Sequence, residues 1–159
     1  MTKPQKQISL KEIQLKIEQY CAYQDRCKFE VEQKLKSFPL PIEDVYNIID
    51  RLINEKFIDE VRYAQSYTRG SYRHKKWGRN KIKANLIAKK IENQIINIAF
   101  NEIDTEEYNL MIFHELNKKW PSIKANSDFD KKNKLIRFGI SRGYEFDIIS
   151  SFLEQQMKD

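Results

Sequence analysis

Glycine and proline, the residues that most often interrupt regular backbone structure, are scarce in this chain: there are four of each among 159 residues. An all-β sandwich or barrel needs a turn about every 8–12 residues and draws on both residue types to make it. So few turn-forming residues argue against an all-β fold. A chain with 40% hydrophobic and 33% charged residues instead suits amphipathic helices, which bury one face and solvate the other.

Three segments carry the residues that typically begin a helix. Ser9 followed by Glu12 matches a capping box, in which a hydroxyl and a carboxylate satisfy backbone N–H groups that the first turn leaves unpaired. Asp59 is placed to cap another helix, and Asp104 followed by Glu107 repeats the arrangement. Apolar residues spaced three and four apart follow each start, so the sequence predicts a helix after all three.

The hydrophobic pattern recurs along the chain, and each cycle contains three predicted helices. We assign a first repeat with a short N-terminal tail to residues 1–57, a second, strongly basic repeat to 58–103 and a third to 104–159. Corresponding apolar positions are Leu35, Leu86 and Phe138, and Val45, Ile95 and Ile148. The predicted fold is all-α, with three tandem three-helix, helix-turn-helix-like repeats in an elongated array, because one repeat alone buries too little apolar surface.

Helix faces and turns give further expectations. Buried stripes are predicted for Tyr63 and Tyr67, for Ile82, Leu86 and Ile87, and for Leu110, Phe113 and Leu116. Pro41 is expected in the first turn of a helix, where its missing N–H costs nothing. Gly143 is expected to adopt the left-handed backbone that ends many helices.

The sequence also predicts where the protein works. No apolar run approaches the roughly 20 residues needed to cross a bilayer, so no membrane partner is expected. The N-terminal segment MTKPQKQIS lacks the apolar core of a secretory signal. Cys21 and Cys27 do not make a disulfide framework, which favours a reducing compartment. We therefore expect a cytoplasmic protein, and we expect it to be a monomer.

Groups that converge for catalysis or metal binding are not found in the sequence. The scattered glycines cannot form a phosphate-cradling loop. His74 lies among cations that would repel a metal ion, and His114 has no second histidine nearby. Cys21 and Cys27 lack the paired spacing of zinc ligands. The sequence therefore predicts no catalytic residue, no metal site and no cofactor, and we expect that the protein is not an enzyme.

The net charge of +6 comes from one block of the chain. Residues 61–91 contain ten Lys or Arg residues and no Asp or Glu, whereas the other 128 residues carry 19 basic and 23 acidic side chains. Crowded like charges repel and cost stability unless a partner neutralises them, so we predict a polyanionic partner. The predicted contact residues in this block are Arg62, Arg69, Arg73, Lys75, Lys76, Trp77, Arg79, Lys81, Lys83, Lys89 and Lys90.

These residue types suit nucleic-acid phosphates. Guanidinium forks bind phosphate oxygens bidentately, and lysines act as mobile point charges. Arg62, Arg69 and Arg73, seven and four residues apart, are predicted to share one helix face. Trp77 is expected either to stack on bases or to pack beside arginines. A base-reading helix-turn-helix is not required by the pattern, so attraction to phosphate without sequence preference is predicted.

Four segments resemble, in their order and spacing, the RecX family of recombination regulators. They are QYCAYQDRCKFEVEQKL (19–35), IDEVRYAQSY (58–67), KWGRNKIKANLIAKKI (76–91) and RFGISRGYEFDII (137–149). The last segment is similar to the family's C-terminal arginine and Arg-Gly-aromatic pattern, which adds Arg137 and Arg142 to the predicted contacts. Together the segments cover nearly the whole chain.

The resemblance implies three tandem three-helix repeats and a function. That function is binding to the RecA recombinase filament on single-stranded DNA, with inhibition of its ATPase, strand-exchange and co-protease activities; double-stranded DNA is a further polyanion to consider. Two positions depart from the family: Cys27 replaces a serine that would cap a helix, which should weaken that helix start, and Lys90 replaces a turn glycine. Two alternatives stay open, a stand-alone helical module that binds nucleic acid without sequence preference and a helical scaffold for acidic protein surfaces.

Overall fold

The computed structural model describes residues 7–158, which are helical throughout apart from short connections. Within this range there are nine α-helices, one 3₁₀ turn and no strand, so the all-α prediction is confirmed. The helices are α1 (Leu10–Tyr23), α2 (Lys28–Lys36), α3 (Ile42–Asn54), α4 (Glu60–Arg73), α5 (Arg79–Ala88), α6 (Asn93–Phe100), α7 (Thr105–Lys119), α8 (Asp128–Ser141) and α9 (Phe146–Lys158), and the 3₁₀ turn is Trp120–Ser122. The start of MTKPQKQIS, on which the expectation about secretion rests, lies outside the described residues.

The predicted helix starts are confirmed at the level of single hydrogen bonds. The Ser9 hydroxyl accepts from the Glu12 N–H at 3.1 Å. Asp59 accepts from the N–H three residues later at 3.0 Å, and Asp104 accepts from the Glu107 N–H at 2.9 Å. Each cap satisfies a donor that an uncapped first turn would expose. Local chemistry therefore determines where α1, α4 and α7 begin.

The chain divides into two compact units, one ending at Tyr63 and the other beginning at Ala64. In the first unit, α1, α2 and α3 enclose one apolar core. Its buried residues include Ile13, Ile17, Val31, Leu35, Val45, Ile48, Ile49, Leu52 and Ile58. The division into repeats at 1–57, 58–103 and 104–159 stays a prediction.

Two expectations for the first unit need revision. Pro41 stands at the cap of α3, one position before the first turn. At Cys27, which is fully buried, the Glu30 carboxylate accepts from the Cys27 N–H at 3.3 Å and from its thiol at 3.5 Å. Glu30 thus supplies half of a capping box, and the start of α2 is better supported than the missing serine suggested.

The second unit contains α5 to α9 and most of α4. We call α1–α3, α4–α6 and α7–α9 the three sets of helices. In the second and third helix of each set, buried residues recur at a regular spacing in the sequence. Successive members are separated by 51 and then 53 residues in the series Val31, Ile82, Leu135; Leu35, Leu86, Gly139; Val45, Ile96, Ile149; and Ile48, Ala99, Phe152. This register supports a helical repeat, because equivalent positions are buried each time.

Several predicted core positions are wrong. Phe138, Ile95 and Ile148 are half-buried, and the buried residues of the repeat register are their neighbours. Tyr67 is also half-buried, whereas Ile87 and Leu110 are 51% and 71% exposed. The buried stripe of α7 is Tyr108, Ile112 and Leu116, spaced four residues apart. Tyr108 takes the interior position because its hydroxyl finds polar partners there.

No helix within residues 7–158 is long and apolar enough to cross a membrane.

Candidate nucleic-acid interface

The arginines of α4 are already paired with carboxylates. Arg62 binds Asp25 at 2.6 Å. Arg69 binds Glu102 at 3.3 Å, and Arg73 binds Glu107 at 3.1 Å. The three arginines therefore do not present three unoccupied guanidiniums, as the spacing had suggested. Exposed ion pairs contribute about 0–1 kcal/mol each, so a phosphate can displace the carboxylate at little cost.

The turn between α4 and α5 carries a cluster of one tryptophan and two lysines, which we call the Trp77 cluster. The Lys75 ammonium lies 4.6 Å from the centre of the Trp77 ring, and the Lys81 ammonium lies 4.5 Å from it. Trp77 is half-buried, so part of the residue remains exposed to solvent. A cation near an aromatic face is attracted by the ring's quadrupole. The cluster thus combines two charges suited to phosphate with a flat surface suited to a base.

The backbone of this turn is held in an unusual conformation. Lys76 has a φ of 62°, in the left-handed region, and its ammonium donates to the Arg73 carbonyl at 2.8 Å. The Tyr144 hydroxyl donates to the Lys76 carbonyl at 2.7 Å. One hydrogen-bond donor of the Lys76 ammonium is therefore occupied within the turn. The Lys76 and Tyr144 side chains together hold the turn in this conformation.

The α4–α5 turn docks directly onto the α8–α9 turn, backbone against backbone; we call this contact the glycine seam. The Gly78 N–H donates to the Arg142 carbonyl at 2.7 Å, and the Asn80 N–H donates to the Gly143 carbonyl at 3.0 Å. A methyl group on Gly78 would overlap the Gly143 carbonyl. Gly143 has a φ of 89°, which confirms its predicted left-handed conformation. Both glycines are required for this approach.

Tyr108 completes the seam from α7. Its buried hydroxyl accepts from the Arg79 backbone N–H at 2.8 Å and donates to the Glu145 carboxylate. The Arg79 guanidinium lies 4.1 Å from the Tyr108 ring centre and 3.4 Å from Glu145. Burial, and next the hydrogen bond to Glu145, raise the pKa of Tyr108. Arg79, predicted as a phosphate ligand, therefore has a structural role in this network.

The remaining predicted residues of the block lie on or after α5. Lys83 is exposed, and Lys89 is the residue that ends the helix. Lys90 adopts a φ of 61°, so the turn that often uses glycine is made here by a lysine in the left-handed region, as expected. The structure brings Lys75, Trp77 and Lys81 together at one turn, while Lys83, Lys89 and Lys90 extend along the next helix.

Arg137 lies on α8, and Arg142 lies at the end of that helix, where its carbonyl takes part in the glycine seam. The Arg142 guanidinium is 4.9 Å from the centre of the Phe138 ring. Arg137 lines a cleft of about 620 Å³ together with Lys119, Lys124, Lys134 and Phe138. The charge count missed the three lysines because it compared one block with the rest of the chain, and the residues outside 61–91 together carry 19 basic and 23 acidic side chains.

A second cationic–aromatic group that the sequence analysis missed lies in the first unit. The Arg26 guanidinium is 3.8 Å from the Tyr20 ring centre, and the Lys34 ammonium is 5.7 Å from it. Acidic residues in the surrounding sequence conceal this group in a net-charge count. Alternation of aromatic and basic residues was the available signal.

No group of three or more His, Cys, Asp or Glu side chains within residues 7–158 is arranged to hold a metal ion. Both cysteines are free and buried. Burial raises the pKa of the Cys27 thiol to about 11, and it raises that of Cys21 as well. Because the thiolate is the reactive form, both side chains behave as small core residues.

Comparison with protein-family models gives two matches. Residues 59–99 match the model described as RecX, second three-helix domain, and residues 110–153 match RecX, third three-helix domain. The two matches include the Trp77 cluster, the glycine seam and most of the cleft beside Arg137. The family models therefore cover the elements from which the candidate interface is built.

Curated relatives and solved structures agree with these matches. The chain is 34% identical over 128 residues to the regulatory protein RecX of Clostridium tetani (strain Massachusetts / E88), covering 79% of this chain and 58% of the relative. It is 30% identical over 142 residues to that of Bacillus thuringiensis (strain Al Hakam), covering 88% and 52%. The chain thus spans little more than half the length of these relatives. The crystal structure of RecX from Lactobacillus salivarius superposes with a TM-score of 0.78 at 27% identity, over 89% of this chain and 92% of that one. This chain belongs to the RecX family of regulatory proteins.

Proposed function

We propose that this protein binds the RecA recombinase filament on single-stranded DNA and inhibits its ATPase, strand-exchange and co-protease activities, and thereby regulates DNA repair and recombination. Membership of the RecX family supports a regulatory role. The observation that supports the proposed DNA contact is the Trp77 cluster, in which the ammonium groups of Lys75 and Lys81 both lie near the ring of a half-buried tryptophan.

The cluster is suited to a strand without sequence preference. Lysine ammoniums contact backbone phosphates, which are the same at every nucleotide. A tryptophan face stacks on any base, because every base has a π-face. Neither contact reads a base edge, so affinity should depend on charge and on access to unpaired bases. These properties fit a ligand that meets single-stranded DNA of any sequence inside a filament.

Inhibition follows if the protein prefers one state of the filament. ATP hydrolysis and strand exchange require recombinase protomers to change their relative positions, and a ligand shifts such an equilibrium only by its differential affinity for the two states. A preference of ~3 kcal/mol corresponds to a shift of about 150-fold. Contacts to both the protein and the DNA of one filament state would supply it.

The direct test is the ATPase rate of RecA on single-stranded DNA as this protein is added. We expect the rate to fall at micromolar protein, and we expect the variant Lys75→Ala/Lys81→Ala to need more protein for the same effect. The control is Lys11→Ala/Lys158→Ala, which removes the same charge from exposed positions elsewhere. An unchanged ATPase rate with the unaltered protein would refute the proposal.

A stand-alone nucleic-acid-binding module is the second candidate, because the Trp77 cluster is formed by the chain alone. Binding to a fluorescent oligothymidylate, with and without RecA, separates the two functions. Tighter binding when RecA is present supports the filament regulator. Equal affinity in both cases, with a strong dependence on salt, supports the stand-alone module.

A further inference from the structure

The connection between α7 and α8 builds a cationic cleft whose lining includes no residue of the Trp77 cluster. It contains the 3₁₀ turn and residues 123–127, and α8 begins seven residues before its buried Leu135. In the preceding set, α5 begins only three residues before the corresponding Ile82. The longer connection and the additional helical turn provide the walls of the cleft, which measures about 620 Å³.

The shape of the cleft is fixed by its own hydrogen bonds. The Lys134 ammonium donates to the Lys124 carbonyl at 2.6 Å and binds the Asp130 carboxylate at 3.3 Å. Asp130 also accepts from the Asn126 N–H at 3.3 Å. Lys134 and Asp130 of α8 thus hold the loop in place through hydrogen bonds to Lys124 and Asn126. A ligand entering the cleft does not have to order the loop first, which lowers the entropic cost of binding.

Two cationic side chains of the cleft, Lys124 and Arg137, are not paired with carboxylates of residues 7–158. Lys124 and Arg137 are exposed, and neither forms an ion pair with any acidic residue in the part of the chain that the structure describes. Lys119 lies 5.2 Å from the centre of the Phe138 ring, on the cleft wall. The lining therefore has unneutralised positive charge beside an aromatic surface, the same combination of groups as in the Trp77 cluster.

The α7–α8 cleft and the Trp77 cluster occupy equivalent positions in the repeat register. Lys134 directly precedes Leu135 as Lys81 directly precedes Ile82, and these positions are 53 residues apart. Both clusters lie where the first helix of a set passes to the second. A strand that follows one set at this position would find a similar group of cations on the next.

We propose that the α7–α8 cleft is a second binding site for single-stranded nucleic acid, in which Lys124 and Arg137 contact backbone phosphates and Phe138 contacts a base or sugar. The inference rests on the proposed function and names a further part of its DNA interface. A cleft of this size takes a ligand of drug-like dimensions, and therefore about one nucleotide of a strand. Two sites on one chain raise the affinity for a strand long enough to occupy both.

The two tryptophans allow each site to be observed separately. Trp77 belongs to the first cluster, and Trp120 begins the 3₁₀ turn beside the cleft, with the Lys131 ammonium 4.2 Å from its ring centre. In the variant Trp77→Phe, we expect oligothymidylate to change the fluorescence of Trp120. Adding Lys124→Ala/Arg137→Ala should weaken this response and reduce the log–log salt slope of binding by about 1.4, since each phosphate contact on a single strand contributes about 0.7. The control Lys11→Ala/Lys158→Ala should leave the slope unchanged.

The outcomes distinguish this site from the proposed function. If Trp120 does not respond while Trp77 responds in the variant Trp120→Phe, the cleft is not a strand site, although the RecA ATPase test can still succeed. A salt slope unaffected by Lys124→Ala/Arg137→Ala overturns the proposal in the same way. A Trp120 response to polyglutamate and none to oligothymidylate would assign the cleft to an acidic protein surface and overturn it too.

Discussion

At the residue scale, the two glycines of the seam do the most to position the candidate interface. Gly143 was expected to end a helix, and this expectation came from local sequence alone. The contact between Gly78 and Gly143 was not predictable in this way, because 65 residues separate them and neither carries a side chain that could indicate a partner. The structure shows that two turns pack backbone to backbone, which only glycine permits at this distance.

Gly78→Ala should therefore destabilise the protein severely. The added methyl group would overlap the Gly143 carbonyl, and relieving the overlap would break the Gly78–Arg142 hydrogen bond. We expect a loss of about 3 kcal/mol or more in the free energy of unfolding, measured by urea denaturation.

The matched control is Gly70→Ala. Gly70 lies inside α4, and no neighbouring atom lies within 4 Å of the place that an added methyl group would occupy. Alanine should stabilise the helix there by about 0.5–1 kcal/mol. If the two variants had similar stability, the turns would not be in contact.

Alkaline pH should weaken the protein through Tyr108. Its pKa is raised above the ordinary value of 10.0, mainly by burial, so the folded state holds the phenolic proton more tightly than the unfolded state. The stability from this group is complete below pH 10 and is lost as pH rises above it. Tyr144, with a pKa raised to about 12, acts in the same direction.

Urea denaturation at a series of pH values from neutral to about pH 11 tests this loss of stability. Tyr108→Phe should cost about 1–3 kcal/mol at neutral pH, because the Arg79 N–H and Glu145 lose their buried partner. It should also show a smaller decline than the unaltered protein between about pH 9 and about pH 11. An equal decline in both proteins would mean that Tyr108 ionises as readily in the folded state as in the unfolded one.

At the element scale, helix starts were predictable and the buried faces were only partly so. Ser9, Asp59 and Asp104 act through hydrogen bonds to residues three positions away, so the sequence contains the whole interaction. The face of α7 was not determined in this way: the apolar residues near Leu110 and those near Tyr108 both fit helical periodicity. Burial of Tyr108 depends on Arg79 at the start of α5 and on Glu145 in the α8–α9 turn, which lie far away in sequence.

Adjacent residues of α5 test the assigned face of that helix. Leu86 is fully buried, whereas Ile87 is 51% exposed. Leu86→Ala should lower the free energy of unfolding by roughly 2–5 kcal/mol through loss of buried surface and the cavity left behind. Ile87→Ala should change it by about 0.5 kcal/mol or less. Thermal and urea denaturation of both variants measure the difference. A larger effect at Ile87 would mean that the opposite face of α5 is buried.

At the scale of the whole molecule, the ten Lys and Arg residues of the basic block overstate the positive charge that is available to a ligand. The basic block has no acidic residue of its own, but Asp25, Glu102, Glu107 and Glu145 from other segments pair with its arginines. A count of charges along the sequence does not contain these pairings. Within residues 7–158, Lys75, Lys81 and Lys124 form no ion pair and are therefore more available than the arginines of α4, whereas Lys134 is paired with Asp130.

This difference predicts unequal effects on nucleic-acid binding. Lys75→Ala/Lys81→Ala should reduce the log–log salt slope for single-stranded DNA by about 1.4, which corresponds to two phosphate contacts. Arg69→Ala/Arg73→Ala removes the same charge but also releases Glu102 and Glu107, so its slope should change less. Fluorescence anisotropy at several salt concentrations measures both. A larger change for the arginine variant would identify α4 as the principal phosphate-binding surface.

A repeat protein ordinarily evolves by gaining, losing or exchanging its modules, because each one touches its neighbours through adaptable side chains. The backbone contact between Gly78 and Gly143 removes that freedom from the second and third sets of helices. If one of these two sets were replaced alone, the α4–α5 turn or the α8–α9 turn of the other would be left with unpaired backbone N–H or carbonyl groups. Engineers who recombine such proteins should therefore exchange the whole second unit, which begins at Ala64, as a single piece.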